Sequence, residues 1–596
     1  MARRRGGAAP AAGAVAGGVL AAQLALAAQL AVAAPLAAQR SVAGGFDDAS
    51  LPVRGEARLR FGVLFEATSE QFGGVSGADG STRVPLGARF SFDSAAFGAS
   101  HFALVGVAER ALRDSVGVTS GLTLGVANTG LRTLVTRIPF QLDVGLTRRL
   151  AISAMLPVVR TESSVNLVVN PGGTTGNLGF NPANGATAPS GSSAAAQQNA
   201  LVQKQLGAAA SALESALATC PAVAGPTTTP QCAAVIANRA GATQLARSAR
   251  AVASGLAQVY GAGTTAQPGG PFVPIQGTAP QRAVEARIRS LGTAFAAFDV
   301  NDLATPALPA AATARIAAAG LQRVLTEDRF GVASDSVKGV TVQGTGDVEL
   351  AAHVMWLDTF GGPRDPVRSG VRVRSTIGAG YRLATGSEAF PSFVFFVPTG
   401  SGPALLFRSA TDVSIGRRAW VSAVARVESP LAHDVEVRVP LFPGELFAPG
   451  ERALTAQRTS GRTVSVEITP RWAPNDAFSL AAQYALRSRS DDKYVGTLST
   501  TDATGADELV DASLLGVGTG ARAQLAGFGI TYSTLGAFAR GHSWLPAEVS
   551  YLHTSTFGGS GGVVPRTRYD QLVIRVYAQI FGTSPRRPAP ARAPRR

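Results

Sequence analysis

Hydrophobic and polar side chains alternate with a period of two over many stretches of the chain. In Thr463–Arg487, Val464, Val466 and Ile468 fall on one side of an extended backbone, and Glu467 falls on the other. A Pro-Asn-Asp turn interrupts the alternation, which then restarts. Because successive side chains of a strand point to opposite faces, this stretch predicts a β-hairpin with one apolar and one polar face. A hairpin of a soluble β-sandwich has the same pattern, so its recurrence decides between the two.

The alternation recurs on both sides of a central segment. It is found in Arg54–Glu66, in a second hairpin over Leu131–Val159, in several segments from Asp347 onward, and finally in Tyr569–Phe581. Each arm of the Thr463–Arg487 hairpin has about ten residues, the length with which a tilted strand crosses the hydrocarbon layer of a membrane. Strands in lipid need a partner on both edges, and only closure supplies one for every strand. We therefore predict an all-β fold, a closed antiparallel transmembrane β-barrel of about 12–14 strands, an even number being favoured.

The central segment, from about Asn170 to Val337, has a different pattern. A linker rich in Gly, Asn, Pro and Ser precedes Ala-rich stretches in which apolar residues recur at helical spacing. The predicted helices run roughly over Ala194–Ala218, Ala233–Tyr260, Gln281–Phe298 and Ala311–Glu327. This pattern predicts an Ala-rich helical insertion that emerges from an extracellular loop. A plug folded into the lumen is the alternative. A further short amphipathic helix is predicted over His101–Arg113.

The composition favours a membrane barrel over a soluble enzyme or a helical membrane protein. Of 596 residues only 16% are charged, and the mean hydropathy is +0.17. Soluble proteins usually have about 25% charged residues. After the N-terminus there is no run of about 18 apolar residues, which a membrane-spanning helix requires.

The N-terminus has the features of a secretory signal. Arg3–Arg5 are followed by a segment rich in Ala, Leu and Val that runs to Ala34, and small residues precede Gln39. A cleaved signal peptide is predicted, and an uncleaved anchor helix is the alternative. The predicted organisation is a signal peptide at 1–39, the first part of the barrel at 40–170, the helical insertion at 171–337, the second part of the barrel at 338–582, and a basic Pro-rich tail at 583–596. An exported barrel is expected in the bacterial cell outer membrane, in a Gram-negative-type envelope.

The net charge of +15 does not indicate nucleic-acid binding. Three of the arginines lie in the predicted signal and five in the tail, and no basic stripe runs along the rest of the chain. Cys220 and Cys232 lie in one loop-like stretch of an exported chain, which favours a disulfide. Binding of a metal by two thiols without a nearby His is the less favoured interpretation.

Charged residues of both signs fall on the less apolar face of the predicted strands. Facing lipid, an Arg at mid-bilayer would cost about 2–4 kcal/mol, whereas a water-filled lumen accommodates it. The predicted lumen-lining residues are Glu56, Arg58, Arg60, Arg137, Asp143, Glu349, Arg372, Arg374, Arg382, Arg408, Asp412, Arg426, Glu467, Arg471, Arg487, Glu548 and Arg575. If these residues instead pair across the lumen and close it, the barrel is structural and does not conduct.

Catalytic and metal-binding patterns are weaker than this collective signal. Gly558–Gly562 has the spacing of a nucleophile elbow, but the run lies between two predicted strands, which favours a flexible loop. His433 beside Asp434 matches part of a hydrolytic site, without an evident Ser or second acidic pair. His353 shares a strand face with two acidic residues, and the polarity of a lumen explains this without a metal. We predict no catalytic residue, no metal and no cofactor.

Three stretches resemble a known group of bacterial outer-membrane proteins. Ile138–Val159 is similar to the group's hairpin of apolar strand, Gly-Leu-Thr, short polar turn and apolar strand; Gly344–Trp356 and Ile377–Gly386 are similar to its next two segments. The group comprises the outer-membrane barrels linked to meta-pathway phenol degradation, which are related to the transporters of hydrophobic compounds. The resemblance covers Leu131–Val159 and Gly344–Val427, and the helical insertion departs from it. It implies a transport-type barrel in the outer membrane.

These patterns predict a porin-like outer-membrane channel or transporter, and not an enzyme. It would serve the passive passage of small solutes, with hydrophobic or aromatic compounds as candidates. The expected partners are outer-membrane lipids and lipopolysaccharide, a small-molecule solute and, during biogenesis, the barrel assembly machinery; no nucleic acid is expected. The alternative is a surface-display or adhesion barrel that presents the helical insertion and conducts little or nothing.

Overall fold

Twelve long antiparallel strands hydrogen-bond to one another in a ring. In the computed structural model they are β1 Glu56–Phe72, β2 Thr123–Gly145, β3 Leu150–Val169, β4 Glu349–Asp358, β5 Val371–Arg382, β6 Ala404–Ile415, β7 Ala419–Pro430, β8 Thr463–Trp472, β9 Phe478–Arg489, β10 Ala521–Ser533, β11 Ala547–Gly561 and β12 Val564–Gln579. Each strand pairs with the next along the chain, and β1 pairs with β12 on one edge and with β2 on the other. Every edge of this ring is therefore paired, which confirms the predicted closed barrel and its even number of strands.

The structure describes residues 47–73, 82–99, 102–173, 175–187, 192–226, 228–330, 332–334, 336–360, 370–388, 392–416, 418–442, 445, 447–501 and 507–580. The predicted signal peptide and the basic tail lie outside these residues, as does His101 at the start of the predicted short helix.

The barrel strands turn apolar side chains outward and polar side chains inward. On β2, Phe140 and Leu142 are 47% and 44% exposed, whereas Arg137 and Asp143 are each 3% exposed. This period-two division continues around the ring, because neighbouring strands pair in register and keep the same face outward. The outside of the barrel is therefore an apolar band and the inside is charged.

Most short connections lie at one end of the barrel, and most long connections lie at the other. At one end, here called the short-turn end, residues 146–149 join β2 to β3 and residues 416–418 join β6 to β7. At the other, the long-loop end, lie connections such as 73–122 and 170–348. Outer-membrane barrels turn their short connections toward the periplasm and their long loops outward. Three connections depart from this rule: only residues 562–563 separate β11 from β12 at the long-loop end, whereas 359–370 and 534–546, of 12 and 13 residues, lie at the short-turn end.

The four tryptophans of the chain all lie near the short-turn end. Trp356, Trp420 and Trp472 occupy the ends of β4, β7 and β8, and Trp544 lies in the connection between β10 and β11. Trp356, Trp472 and Trp544 are more than half exposed. Because Trp rings are enriched where a membrane meets water, these residues indicate the level of one membrane boundary.

Strand β11 includes the Gly-rich run that the sequence pattern assigns to a flexible loop. Gly558–Gly561 pair with Ala521–Gln524 of β10, so the prediction of a loop is wrong. The physical reason is that β11 and β12 lie too close together for a side chain at this position. A Cβ atom at Gly559 would lie 2.5 Å from Cγ1 of Val564 on β12. Gly559 thus permits the close approach of β11 to β12.

Seven α-helices are present in the described residues. They are α1 Ala103–Val116, α2 Ser192–Thr219, α3 Pro230–Ala237, α4 Arg239–Tyr260, α5 Ala279–Ala296, α6 Ala318–Thr326 and α7 Leu535–Ala539. Helices α3 and α4 occupy one predicted helix, which breaks at Asn238 because this side chain accepts a hydrogen bond from the backbone N–H of Gly241 as the N-cap of α4. None of the helices in the described ranges is both long enough and apolar enough to span a membrane.

The helical insertion packs on the long-loop end of the barrel. Helix α4 contacts both α1 and α2, and fully buried small residues such as Ala209 and Ala249 let the helices approach closely. Leu256 and Phe295 belong to the same hydrophobic core, which extends to Leu124 at the start of β2. Cys220 and Cys232 form a disulfide between α2 and α3. The insertion is therefore joined to the barrel through one continuous core.

Shorter elements extend the strands and loops. Arg83–Pro85, Phe92–Gly98 and Thr341–Thr345 pair with β1, β2 and β3; Leu178–Phe180 pairs with Phe272–Pro274; His433–Arg438, Ala453–Thr459 and Lys493–Val495 form a small sheet; and Thr497–Thr501 pairs with Asp507–Asp511. Single 3-10 turns lie at Ala88–Phe90, Asp328–Phe330, Gly450–Arg452 and Ala512–Gly516.

Candidate functional site

The charged side chains predicted to line the lumen are withdrawn from the outer surface of the barrel. Nine of them are buried, namely Arg58, Arg60, Arg137, Asp143, Arg382, Asp412, Arg426, Glu467 and Arg575. The others are half-buried, namely Glu56, Glu349, Arg372, Arg374, Arg408, Arg471, Arg487 and Glu548. These side chains lie on the face of their strands opposite the exposed apolar side chains.

Four ion pairs of the lumen run along its wall. They join Arg58 to Asp143 (2.8 Å), Arg374 to Asp412 (2.7 Å), Arg426 to Glu467 (2.8 Å) and Arg137 to Glu66 (3.4 Å). In each case the two partners belong to neighbouring strands. Buried charges need such partners, and pairing along the wall supplies them without bringing opposite walls together.

Part of the lumen is instead filled by Asp47–Val53, the residues that precede β1, here called the lumen segment. The chain is anchored at the short-turn end, where the backbone N–H of Gly55 donates to the carbonyl of Gly145 at 2.9 Å. From there it rises inside the barrel to Ala49, which is fully buried against Ala410 of β6 and Val424 of β7. The lumen segment therefore reaches about halfway along the strands.

Asp47 is held by arginines from three strands. Arg408 donates from Nη2 to Oδ1 and from Nε to Oδ2, both at 2.8 Å. Arg426 donates from Nη2 to Oδ2 at 2.7 Å, and its other amino group donates to Glu467. Arg471 donates to the backbone carbonyl of Asp47 at 3.3 Å. Bidentate contact between a guanidinium and a carboxylate is among the strongest polar contacts in proteins.

Further contacts fix the remainder of the lumen segment. The backbone N–H of Ala49 donates to Oδ2 of Asp412 at 3.1 Å. Oδ2 of Asp48 lies 3.6 Å from Nη1 of Arg575. Arg58 donates to the hydroxyl of Ser50 at 3.1 Å. Residues from β1, β6, β7, β8 and β12 thus hold this one short peptide.

Arg60 forms no ion pair with another described residue, whereas Arg58 and Arg426 each do. Its side chain is 6% exposed, and among the described residues its Nε has no hydrogen-bond partner. In the pairing of β1 with β12 it lies directly opposite Arg575. Its guanidinium lines the cavity beside the lumen segment.

This lower cavity lies between the lumen segment and the inner faces of several strands. Arg60, Arg408 and Arg426 line it together with small or apolar residues such as Ala151 and Met155. The lumen segment contributes Asp47 and Leu51 among its lining residues. A charged wall and an apolar wall therefore face the same space.

An upper cavity lies nearer the long-loop end. Arg137, Arg487 and Arg489 line it with Val135 and Leu525. It combines cationic and apolar groups, as the lower cavity does.

The lumen segment was not anticipated from the sequence. Asp47 and Asp48 are the first acidic residues of the chain, and they stand as a pair directly before the first strand. That position was the only available signal. Nothing in the alternation of the strands indicates that these carboxylates enter the barrel.

His433 and Asp434 do not form a hydrolytic pair. Nε2 of His433 lies 2.8 Å from Oε2 of Glu388, which belongs to another loop, and Asp434 is exposed. The hydrogen bond to Glu388 raises the pKa of His433, and partial burial opposes this rise. The contact therefore joins two loops at the long-loop end.

The possible metal cluster at His353 does not assemble. Nε2 of His353 lies 3.1 Å from the hydroxyl of Ser153, whereas Asp347 accepts hydrogen bonds from the backbone N–H groups of Gly386 and Ser401. Within the described ranges no group of three or more His, Cys, Asp or Glu residues is arranged to hold a metal ion.

A closed ring of strands, apolar outside and charged inside, defines a transmembrane β-barrel of the bacterial outer membrane. No family model and no curated protein matches the chain. Among solved structures it is similar to an outer membrane channel from Pseudomonas putida F1, at 8% identity over 89% of this chain and 98% of that one, with a TM-score of 0.37. It is also similar to the toluene transporter TbuX of Ralstonia pickettii (9% identity, 88% and 90% covered, TM-score 0.27) and to a FadL homologue of Pseudomonas aeruginosa (8%, 88% and 90%, 0.26).

Proposed function

We propose that this barrel is an outer-membrane channel or transporter for the passive passage of small solutes, and that it has no catalytic role. The observation that carries the proposal is the inner surface, on which charged side chains line two open cavities. Charged groups around open space are compatible with water and with the passage of polar groups. The predicted lumen-lining residues form the wall of this route.

The lining of both cavities supports solutes that carry an apolar part. Val135 and Leu525 lie beside Arg137 in the upper cavity, and Met155 lies beside Arg60 in the lower one. Hydrophobic or aromatic compounds are therefore among the candidate solutes. Outer-membrane lipids and lipopolysaccharide would surround the apolar band, and the barrel assembly machinery would insert it.

Reconstitution of the purified barrel tests the proposal. Wild-type protein in planar bilayers is expected to conduct ions, and the same protein in liposomes is expected to admit small solutes. Removal of residues 47–53 should increase the conductance, because it empties part of the lower lumen. Absence of both ion current and solute uptake, in the wild type and in this deletion, would contradict the proposal.

The folded helical insertion supports a second candidate function, the display of an interaction surface outside the cell. Its helices share one hydrophobic core at the long-loop end, where an outer-membrane barrel faces the exterior. Replacement of residues 192–326 by a Gly-Ser linker separates the two functions. A channel should retain ion current after this change, whereas a display protein should lose cell or surface binding and show no current before it.

A further inference from the structure

We propose that Arg60, Arg408 and Arg426 form a binding site for the carboxylate of a small solute with an apolar body, and that Asp47 occupies this site in the structure. The inference rests on the proposed channel function and names a class of solute for it, small monocarboxylates with an aliphatic or aromatic body. Four features of the lower lumen lead to it.

The first feature is the juxtaposition of Arg408 and Arg426. They lie directly opposite each other on β6 and β7, where two like charges destabilise the pairing of strands. Asp47 removes this repulsion, because its carboxylate accepts hydrogen bonds from both guanidinium groups. The planar guanidinium matches a carboxylate in geometry and in charge. The carboxylate of a solute would meet the same donors.

The second feature is Arg60, whose side chain is nine-tenths buried and lines the same cavity. Its Nε has no hydrogen-bond partner among the described residues. Nearby Asp143 already accepts hydrogen bonds from Arg58 and from Gln141. A buried cation needs an anionic partner, and a solute carboxylate in the cavity would supply one.

The third feature is the apolar part of the cavity wall. It is formed by Ala151, Met155, Ala351, Gly378 and Gly380. The alanines and glycines leave room for the body of a solute, and Met155 offers it an apolar contact. Glu349 and Glu428 also line the cavity, so a second negative charge on the solute is disfavoured.

The fourth feature is the covalent tether of Asp47. A carboxylate on a short tether has an effective concentration on the order of millimolar, so a free solute displaces it only at comparable concentrations. Binding would then be weak and reversible, which passage through a channel requires. Residues 1–46 contain no Asp or Glu, so no other acidic side chain from this end of the chain competes for the arginines.

Benzoate and its neutral counterpart benzamide test the site on the full-length protein in planar bilayers. Millimolar benzoate should reduce the ion current reversibly, and benzamide should not. Asp47→Asn removes the competing charge while keeping the side-chain size, so the apparent affinity for benzoate should rise by about tenfold. Arg408→Gln and Arg426→Gln should lower it by about tenfold or more, because each removes charge-assisted hydrogen bonds. Arg540→Gln is the matched control, since Arg540 lies exposed outside the lumen and should leave the benzoate effect unchanged.

A second variant tests whether benzoate must displace the lumen segment, and it changes no charge. Ala49 and Ala410 pack against each other, so a double substitution, Ala49→Cys with Ala410→Cys, offers a disulfide that holds the lumen segment in place. In the oxidised protein the effect of benzoate should be lost, and reduction should restore it. Wild-type protein treated with the same reductant controls for the native disulfide between α2 and α3.

The outcomes separate this inference from the proposed function. If the barrel conducts but benzoate and benzamide act alike on the wild type, on Asp47→Asn and on the reduced double-cysteine protein, the carboxylate site is wrong and the channel function stands. If none of these proteins conducts ions or admits solute, the channel function itself is contradicted.

Discussion

At the scale of single residues, the lumen depends on charged side chains that have lost much of their hydration. Arg58 illustrates this, because its Nε donates to Asp143 on the neighbouring strand and its Nη1 donates to Ser50 of the lumen segment. Both Arg58 and Asp143 are less than 10% exposed. Removing one member of such a pair leaves the other charge buried without a partner, whereas removing both leaves a neutral site.

Arg58→Gln is therefore expected to lower the free energy of unfolding, on the order of 3 kcal/mol. Adding Asp143→Asn to this variant should recover a substantial part of the loss. The measurement is reversible urea unfolding of the barrel in phospholipid vesicles. Equal stability of the single and the double variant would show that the buried pair does not contribute as inferred.

At the scale of elements, closure of the ring depends on the seam between β1 and β12. Gly62 lies at this seam, and a Cβ atom there would come within 2.2 Å of the carbonyl oxygen of Leu572. Gly558 on β11 is a matched position within a strand, since the nearest atom to its Cβ would lie 3.7 Å away. Overpacking of a fixed contact costs about 1–3 kcal/mol.

Gly62→Ala should accordingly reduce the yield of folded barrel, and Gly558→Ala should change it little. The folded fraction after refolding can be measured by heat-modifiable migration on gels. Equal yields for the two variants would contradict a tightly fitted seam.

The loops of the long-loop end are joined by a contact that depends on pH. Protonated His433 donates to Glu388, which raises the pKa of His433. A raised folded-state pKa means that the stabilisation is fully present below the unfolded-state pKa, about 6.5, and is lost as the pH rises through the folded-state pKa. Because the pair is partly solvated, its contribution is about 1 kcal/mol or less.

His433→Gln should therefore lower the thermal stability more at pH 5.5 than at pH 8.5. His542→Gln is the matched control, since His542 is exposed at the short-turn end. A destabilisation by His433→Gln that is the same at both pH values would contradict a charged contact with Glu388.

At the scale of the whole molecule, the barrel was predictable from the sequence and the content of its lumen was not. Alternation with period two identifies strands and assigns residues such as Arg137 to the inner face, because a strand places successive side chains on opposite sides. The lumen segment has no periodicity, and the partners of Asp47 lie 361 and 379 residues away along the chain. Such contacts depend on closure of the barrel, which a local pattern does not describe.

For the helical insertion, too, the elements were predictable from the sequence and their contacts were not. Its Ala-rich helices follow from spacing, and their observed bounds lie within a few residues of most of the predicted ones, as at Ser192–Thr219. Their common core with α1 and with Leu124 of β2 does not follow, because apolar periodicity indicates which face of a helix is buried but not against what.

The central claim is that lipid surrounds the apolar face of every barrel strand while water reaches the charged face. A nitroxide scan along β9 tests it most directly in the reconstituted protein. Labels at Leu480 and Tyr484, which point outward, should collide mainly with oxygen dissolved in lipid; labels at Gln483 and Ala485, which point inward, should collide mainly with a water-soluble nickel complex. The predicted result is that accessibility to oxygen and accessibility to the nickel complex alternate from one residue of β9 to the next. The absence of alternation, its inversion, or a processed protein freely soluble without detergent would contradict the account.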